Sequence, residues 1–178
     1  YEGYAFERWA ETLRGEGKAQ VRWRPGGGFY SDEYLLGLVE KAHDIGRQVA
    51  KLPTFVKTIQ SEIENFPYHI LRKSARTTVL EAGAHMAAGA TGIAFNILTM
   101  HPDPLDEYKI FLEEIRKSKP FYEFIHNELQ RNPCEGVWPA WNENLFVVNG
   151  ATGSWLESWD AIESMKKPYV LGEIGLPI

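Results

Sequence analysis

The stretch Thr-Ile-Gln-Ser-Glu-Ile-Glu-Asn, residues 58–65, decides the fold that the sequence predicts. Side chains alternate between the two faces of a β-strand, so Ile59 and Ile63 share one face while Glu62 and Glu64 share the other. At ~3.3 Å per residue the two glutamates lie about 7 Å apart along the strand. A strand with one apolar face and one acidic face is typical of a barrel strand whose inner end lines a site.

The surrounding chain repeats a strand–helix pattern. Strands are predicted at residues 20–24, 55–64 and 93–99, with helices at residues 33–50 and 70–88 between them. This order predicts parallel pairing with right-handed crossovers. Each strand places bulky apolar residues on one face and polar or small residues on the other. Strands of an open doubly wound sheet are apolar on both faces, so the pattern favours a (β/α)8 barrel of the TIM type, with helices only outside.

Local signals place the helix ends. Asp32 is predicted to cap the helix at residues 33–50, because a carboxylate accepts hydrogen bonds from the free N–H groups of a first turn. Asp103 and Pro104 are predicted as the N-cap and first residue of a further helix. Pro120 is predicted to end that helix, with a second helix following it.

Composition excludes several classes of protein. The chain has 178 residues, 44% of them hydrophobic, and carries a net charge of −5 from 19 basic and 24 acidic side chains. That balance argues against a general binder of nucleic acid, which needs a basic surface. No run of about 18 apolar residues is present, so no membrane partner is predicted. The single cysteine, Cys134, excludes an internal disulfide framework.

Glu62 and Glu64 are the candidate catalytic residues. Cleavage of a sugar acetal needs one carboxylate to attack or stabilise the oxocarbenium centre and a second acid to protonate the leaving oxygen. Two glutamates on one strand cannot flank the bond from both sides, so one is the predicted nucleophile and the second acid comes from another strand. The alternative is a structural ion network with Arg22 and Arg24 on the neighbouring strand.

Candidate sugar contacts are polar and aromatic residues at the same ends of the strands or in the segment after them. Aromatic faces stack on sugar rings, and Asn or Arg side chains bind sugar hydroxyls. The candidates are Arg24, Tyr30, Asn65, Tyr68, Asn96, Trp138 and Trp141. The alternation predicts that Trp23 packs outward with Val21.

Signals for other chemistry are weak, and no cofactor or metal is predicted. The triple glycine at residues 26–28 lacks the spacing of a nucleotide-binding loop. Ser61 lacks the context of a nucleophile elbow. Glu81 and His85 lie four residues apart on a helix, but no second histidine completes a zinc motif, so a surface pair is predicted.

Three segments carry a family resemblance: residues 60–67 with the sequence Gln-Ser-Glu-Ile-Glu-Asn-Phe-Pro, an Ala-rich helix ending at residues 87–92, and the strand start at residues 93–96. Together they resemble the last strands of (β/α)8 glycoside hydrolases, in particular the family-42 β-galactosidases and their bacterial relatives. The resemblance implies that Glu62, with Glu64 second, is the nucleophile that ends strand seven. It also implies that residues 20–24 form strand six and that Asn96 ends strand eight.

The family's acid/base glutamate ends strand four, which the resemblance places upstream of this chain. The expectation is therefore a fragment of a longer protein, inactive by itself. The longer protein would cleave a glycosidic bond, with a β-linkage favoured, by a retaining two-carboxylate mechanism.

Residues 1–131 are predicted to form the C-terminal part of the barrel, about strands six to eight. Residues 132–178 are predicted to form a Trp-rich extension that leads toward a following domain. An incomplete barrel leaves strand edges unpaired, so the isolated chain is expected to form homo-oligomers.

Two alternatives stay open. One is a non-catalytic carbohydrate-binding or scaffolding relative of the barrel. The other is a small independent α/β domain in which the glutamates only pair with arginines.

Overall fold

The structure is a computed structural model. It describes residues 6–25, 32–33, 36–65, 72–98 and 102–129.

A three-stranded parallel sheet lies at the centre of the described chain. Its strands are β1 (Arg22–Trp23), β2 (Thr58–Glu64) and β3 (Gly92–Asn96), in the order β1-β2-β3. Parallel neighbours need crossover connections, and these are supplied by α2 (Leu36–Lys51) and α3 (Ala75–Ala87). The predicted parallel α/β order is confirmed.

The predicted alternation along β2 is also confirmed. Ile59 and Ile63 are fully buried, whereas Gln60 is exposed and Glu62 and Glu64 are half-buried. The apolar face is covered by helices, so the acids lie on the opposite face of the sheet.

Two clusters of apolar side chains cover the buried face of β2. The first joins α1 (Phe6–Arg14) and α2 to the start of the strand. It contains Phe6, Ala10, Val21, Ile45, Val49, Leu52, Val56, Ile59 and Ala90. The second joins α3 and α4 (Lys109–Leu129) to its end, and contains Ile63, Ala82, Met86, Tyr122 and Ile125. Each buried isoleucine contributes about 1.5–3 kcal/mol.

The strands are shorter than predicted, for local reasons. The N–H of Val56 donates to the carbonyl of Pro53 at 3.0 Å, so a turn precedes β2. At the other end Glu64 pairs with Asn96, and both strands finish at that level. Ile97 instead packs with Tyr108 and Phe111.

Asp32 does not cap the helix that follows it. Helix α2 begins at Leu36, and the Asp32 carboxylate accepts hydrogen bonds from the N–H of Ser74 at 2.7 Å and its hydroxyl at 2.8 Å. The Thr77 hydroxyl also donates to it. Asp32 therefore supports the first turn of α3, where Ser74 is the N-cap. Burial by itself raises the pKa of Asp32, but the hydrogen bonds from Thr77 and Ser74 outweigh it and lower the pKa.

The prediction that Pro120 ends a helix is wrong. Helix α4 continues through it, because Phe111 on one side of the proline and Tyr122 and Ile125 on the other are all buried by packing. The Tyr122 hydroxyl also donates to the carbonyl of Val79 in α3 at 3.0 Å. These contacts compensate for the backbone hydrogen bond that proline cannot make.

The predicted cap at Asp103 is wrong as well. A 3₁₀ turn, Leu105–Tyr108, precedes α4, and Pro104 lies before that turn with an extended backbone. The Asp103 carboxylate accepts from the Tyr108 hydroxyl at 3.4 Å.

The described residues form a mixed α/β unit with a three-stranded sheet, and residues 130–178 lie outside them, with the predicted Trp-rich extension. Among the described helices, none is long and apolar enough to cross a membrane.

Gly89 provides a stability test of the connection between α3 and β3. Its φ of +103° disfavours an L side chain, and an added Cβ would lie 2.9 Å from Cγ1 of Val49. We expect Gly89→Ala to lower the free energy of unfolding by about 1–3 kcal/mol, measured by urea denaturation.

Gly92→Ala is the matched control, because a Cβ there meets nothing within 4 Å and its φ is ordinary. We expect it to change the free energy of unfolding by less than about 0.5 kcal/mol. Equal effects of the two substitutions would contradict the predicted contact with Val49.

Candidate functional site

The C-terminal half of β2 presents two carboxylates on the face of the sheet opposite the helices. Glu62 and Glu64 are both half-buried, and the Glu62 side chain keeps 23% of its surface exposed. In parallel α/β folds, ligands bind beyond the carboxyl ends of the strands. The two acids therefore lie where such a fold carries its chemistry.

Arg24, the residue that follows β1, holds the Glu62 carboxylate. Its Nη2 lies 2.6 Å from Oε1 of Glu62, and its own side chain is 54% exposed. A pair this exposed adds only about 0–1 kcal/mol of stability. Its main effect is geometric, since it fixes the direction of one carboxylate oxygen.

The alternative ion network of the sequence analysis is thus present in part, through the contact between Arg24 and Glu62. The contact is compatible with a structural pair and with an oriented reactive group.

Strand β3 borders the acids on the other side. Ala94 is the register partner of Glu62, and Asn96 is the partner of Glu64. Neighbouring strands lie about 4.8 Å apart, so the Asn96 amide and the Glu64 carboxylate start from adjacent positions. The register partner of Glu62 on β3 is therefore a residue with a small side chain.

Asn65 continues the strand pairing one residue beyond β2. Its backbone N–H donates to the carbonyl of Asn96 at 3.2 Å, and the residue is 1% exposed. Its side chain is therefore withdrawn from solvent, unlike those of Glu62 and Glu64.

Tyr30, Tyr68, Trp138 and Trp141 lie outside the described residues. Trp23 packs outward, as predicted: its ring meets Phe6 edge-on at 5.8 Å, and its Nε1 donates to Gln48 Oε1 at 2.9 Å.

Gln48 belongs to a buried polar cluster on α2 that supports Trp23. The Asp44 carboxylate accepts from Gln48 Nε2 at 3.0 Å and from Lys41 Nζ at 3.2 Å. It also accepts from Arg47. The cluster fixes the amide that orients the Trp23 ring.

A second buried polar cluster lies under the end of β2. The predicted surface pair of Glu81 and His85 is wrong, because both residues are fully buried on the side of α3 that faces the sheet. Glu81 Oε2 accepts from Lys73 Nζ at 2.6 Å, and Ser61 Oγ lies 2.9 Å from His85 Nδ1. Polar side chains therefore lie beside Ile63 on the face of the sheet that the helices cover.

Sequence reasoning missed this cluster for an identifiable reason. The spacing of Glu81 and His85 shows that they share a helix face. Because the residues around them are small, the sequence does not indicate whether that face is buried or exposed. Ser61 lies on the same strand face as Ile59 and Ile63, which is the signal that would have placed a polar partner under the sheet.

Ser61 and His85 resemble two parts of a hydrolase triad but have no access to substrate. Both are fully buried. The contact therefore satisfies a buried hydroxyl and one imidazole nitrogen. Within the described chain, His85 Nε2 and Glu81 Oε1 are buried polar atoms without a hydrogen-bond partner.

Burial shifts the pKa values of this cluster in opposite directions. Burial, aided by the charges of Lys41 and Lys73, lowers the pKa of His85 to about 3. Burial raises the pKa of Glu81 to about 7, against the attraction of Lys73 and Lys41. The native state thus favours a neutral His85 and resists ionisation of Glu81.

The two shifts should oppose each other in the pH dependence of stability. The His85 contribution is complete above the ordinary histidine pKa of 6.5 and is lost as pH falls toward 3. The Glu81 contribution is complete below its ordinary pKa of 4.5 and is lost as pH rises through about 7. Between pH 4.5 and 6.5 each changes the free energy of unfolding by up to about 1.4 kcal/mol per pH unit, with opposite signs.

Single substitutions should separate the two slopes. In Glu81→Gln, acidification from pH 6.5 to 4.5 should destabilise the protein more steeply than in the wild type, because only the His85 slope remains. In His85→Asn, stability should fall more steeply than in the wild type as pH rises from 4.5 to 6.5. Urea unfolding at half-unit pH intervals measures both, and variant profiles parallel to the wild type would contradict the assignment.

Among the described residues, no group of three or more His, Cys, Asp or Glu side chains is arranged to hold a metal ion.

Comparison with protein-family models, with curated proteins and with solved structures gives no match for this chain. The resemblance to family-42 β-galactosidases therefore stays a prediction.

Proposed function

We propose that the polar face of the sheet is the sugar-binding face of a retaining glycoside hydrolase, and that Glu62 is its nucleophile. The observation that carries the proposal is the position of Glu62, on the face opposite the described helices, near the C-terminal end of a parallel strand and 2.6 Å from Arg24. Glycosidic cleavage needs an oriented carboxylate that a substrate can reach. Arg24 orients Glu62, and the Glu62 side chain keeps 23% of its surface exposed.

The placement of the described helices on one face of the sheet supports a barrel as the setting of this site. Parallel sheets are normally covered on both faces or closed into barrels. Here the helices cover the face of Ile59 and Ile63, while Gln60 on the opposite face is exposed. In a closed barrel that polar face is the lumen, and β1, β2 and β3 correspond to strands six to eight.

Glu62 is a better candidate nucleophile than Glu64. Arg24 orients one oxygen of Glu62, and the small Ala94 lies beside it in register. Glu64 follows at the end of the strand beside Asn96. We assign to Glu64, Asn96 and the exposed part of Arg24 the binding of sugar hydroxyls.

The proton donor comes from another strand. Strands β1 and β3 carry no carboxylate in their described ranges, and Glu64 shares a strand with Glu62. A retaining mechanism places its two carboxylates about 5–5.5 Å apart on opposite sides of the scissile bond. The donor therefore belongs to a strand outside the described residues.

Covalent labelling tests the assignment. The full protein that carries this chain is incubated with 2-deoxy-2-fluoro glycosides activated at the anomeric carbon, and labelled peptides are identified by mass spectrometry. We expect the label on Glu62, because the fluorine slows hydrolysis of a glycosyl-enzyme ester.

Glu62→Gln should abolish the label, and Glu64→Gln is the matched control that should retain it. Label on Glu64 would reassign the nucleophile. Saturable sugar binding without any label would favour a carbohydrate-binding relative over an enzyme.

We also propose that the isolated chain self-associates through its sheet edges. Among the described strands β1 and β3 are the outer ones, and open parallel edges present unpaired backbone groups. Size-exclusion chromatography with light scattering should give a mass above the 20.3 kDa of one chain. A concentration-independent monomer would contradict this proposal.

A further inference from the structure

Lys73 connects the acidic end of β2 to helix α3. It is 1% exposed and immediately precedes the N-cap Ser74. Its Nζ donates to the backbone carbonyl of Glu64 at 2.7 Å and to Glu81 Oε2 at 2.6 Å. One ammonium group therefore ties together the last residue of the strand, the start of α3 and the middle of α3.

Stability alone gives no clear reason for this arrangement. A buried lysine is costly unless it is paired. Glu81 supplies the counter-charge above about pH 7 and a neutral hydrogen-bond acceptor below it. Replacing a buried ion pair with apolar side chains of similar volume is nevertheless often neutral or stabilising. The bond to the Glu64 carbonyl is the part of the arrangement that an apolar pair cannot reproduce.

We propose that Lys73 is a positioning residue for the acidic end of β2, and that its bond to the Glu64 carbonyl sets the positions of the Glu62 and Glu64 side chains. The inference rests on the proposed function, because it assigns Lys73 a role in that same site. Lys73 touches neither substrate nor reacting atoms, since it lies beneath the sheet with Glu81.

The strand itself transmits the effect. Glu62 precedes Glu64 by two residues on the same face, so movement of the strand end displaces both carboxylates. Asn65 is bonded to β3 through the Asn96 carbonyl, so Lys73 and β3 hold the strand end from two sides. A misplacement of about 1 Å can cost about 100-fold in rate.

The test uses an apolar replacement of the whole pair, Lys73→Met with Glu81→Leu, in the full protein that carries this chain. The double variant removes the bond to the Glu64 carbonyl without leaving a buried charge. Glu81→Gln is the matched variant, because it keeps Lys73 and offers its Nζ a neutral acceptor in place of the carboxylate.

Two readouts distinguish positioning from general support. At pH 6, where Glu81 is mainly protonated, amide hydrogen exchange should accelerate about tenfold or more over residues 62–65 in the double variant and stay close to wild type in Glu81→Gln. The first-order rate of Glu62 labelling by the fluoro-glycoside should fall about 100-fold, with the binding constant of the reagent changed less than about threefold. A merely structural role would not produce that split.

Wild-type exchange and labelling in a stably folded double variant would overturn the proposal. If the double variant does not fold, Lys73→Ala with Glu81→Gln replaces it, because an alanine side chain has no donor for the Glu64 carbonyl. Lys117→Met controls for loss of a lysine, since Lys117 pairs with Glu114 on the surface of α4.

The two proposals fail in different ways. Absence of label on the wild-type protein would contradict the glycosidase assignment, and the exchange measurement would still decide whether Lys73 orders the strand end. If the wild type is labelled and the double variant shows the same exchange and labelling rates, Glu62 remains the assigned nucleophile and Lys73 has no positioning role.

Discussion

Burial of Ile59 and Ile63 beneath the helices is the constraint on which the rest of the structure depends. Because strand side chains alternate, covering these two residues commits Glu62 and Glu64 to the opposite face. A slip of one residue would bring both acids under α3 and expose both isoleucines, at a cost of several kcal/mol. The register that forms the apolar core is thus the same register that forms the acidic face.

The covered face is more polar than a simple core. Ser61 lies between the two isoleucines and meets His85, while Lys73 and Glu81 form an ion pair beside them. Such groups add little net stability, because desolvation offsets much of their attraction. Their hydrogen bonds have preferred directions, however, whereas apolar contacts are largely non-directional. The apolar clusters hold the sheet against the helices, and the polar contacts define how the strand end is oriented.

Sequence reasoning succeeded where one periodic signal dominated. The alternation of residues 58–64 predicted the faces of β2, and the strand–helix order predicted a parallel sheet. It failed where distant partners decide the outcome. Asp32 has the composition of a local helix cap, yet its partners Ser74 and Thr77 lie some forty residues away. Pro120 is a helix breaker locally, but packing on both sides of it keeps α4 continuous.

The candidate site shows the same division. The alternation predicted the shared face of Glu62 and Glu64, and the strand order predicted Arg24 as a neighbour, which its contact with Glu62 confirms. Lys73 was missed because nothing in the local sequence indicates that a lysine beside a helix cap reaches back to the preceding strand. Its two contacts exist only once α3 is packed under the sheet.

The bond between Lys73 and the Glu64 carbonyl also bears on how this protein can diversify. It joins Glu64 at the end of β2 to Lys73 before α3, nine residues along the chain, and so closes a loop between two fixed points. Lengthening a flexible closed loop costs little conformational entropy, about 0.6 kcal/mol for each doubling of the number of its residues. A loop closed in this way can therefore gain residues at a small cost in entropy while the same bond still joins its two ends.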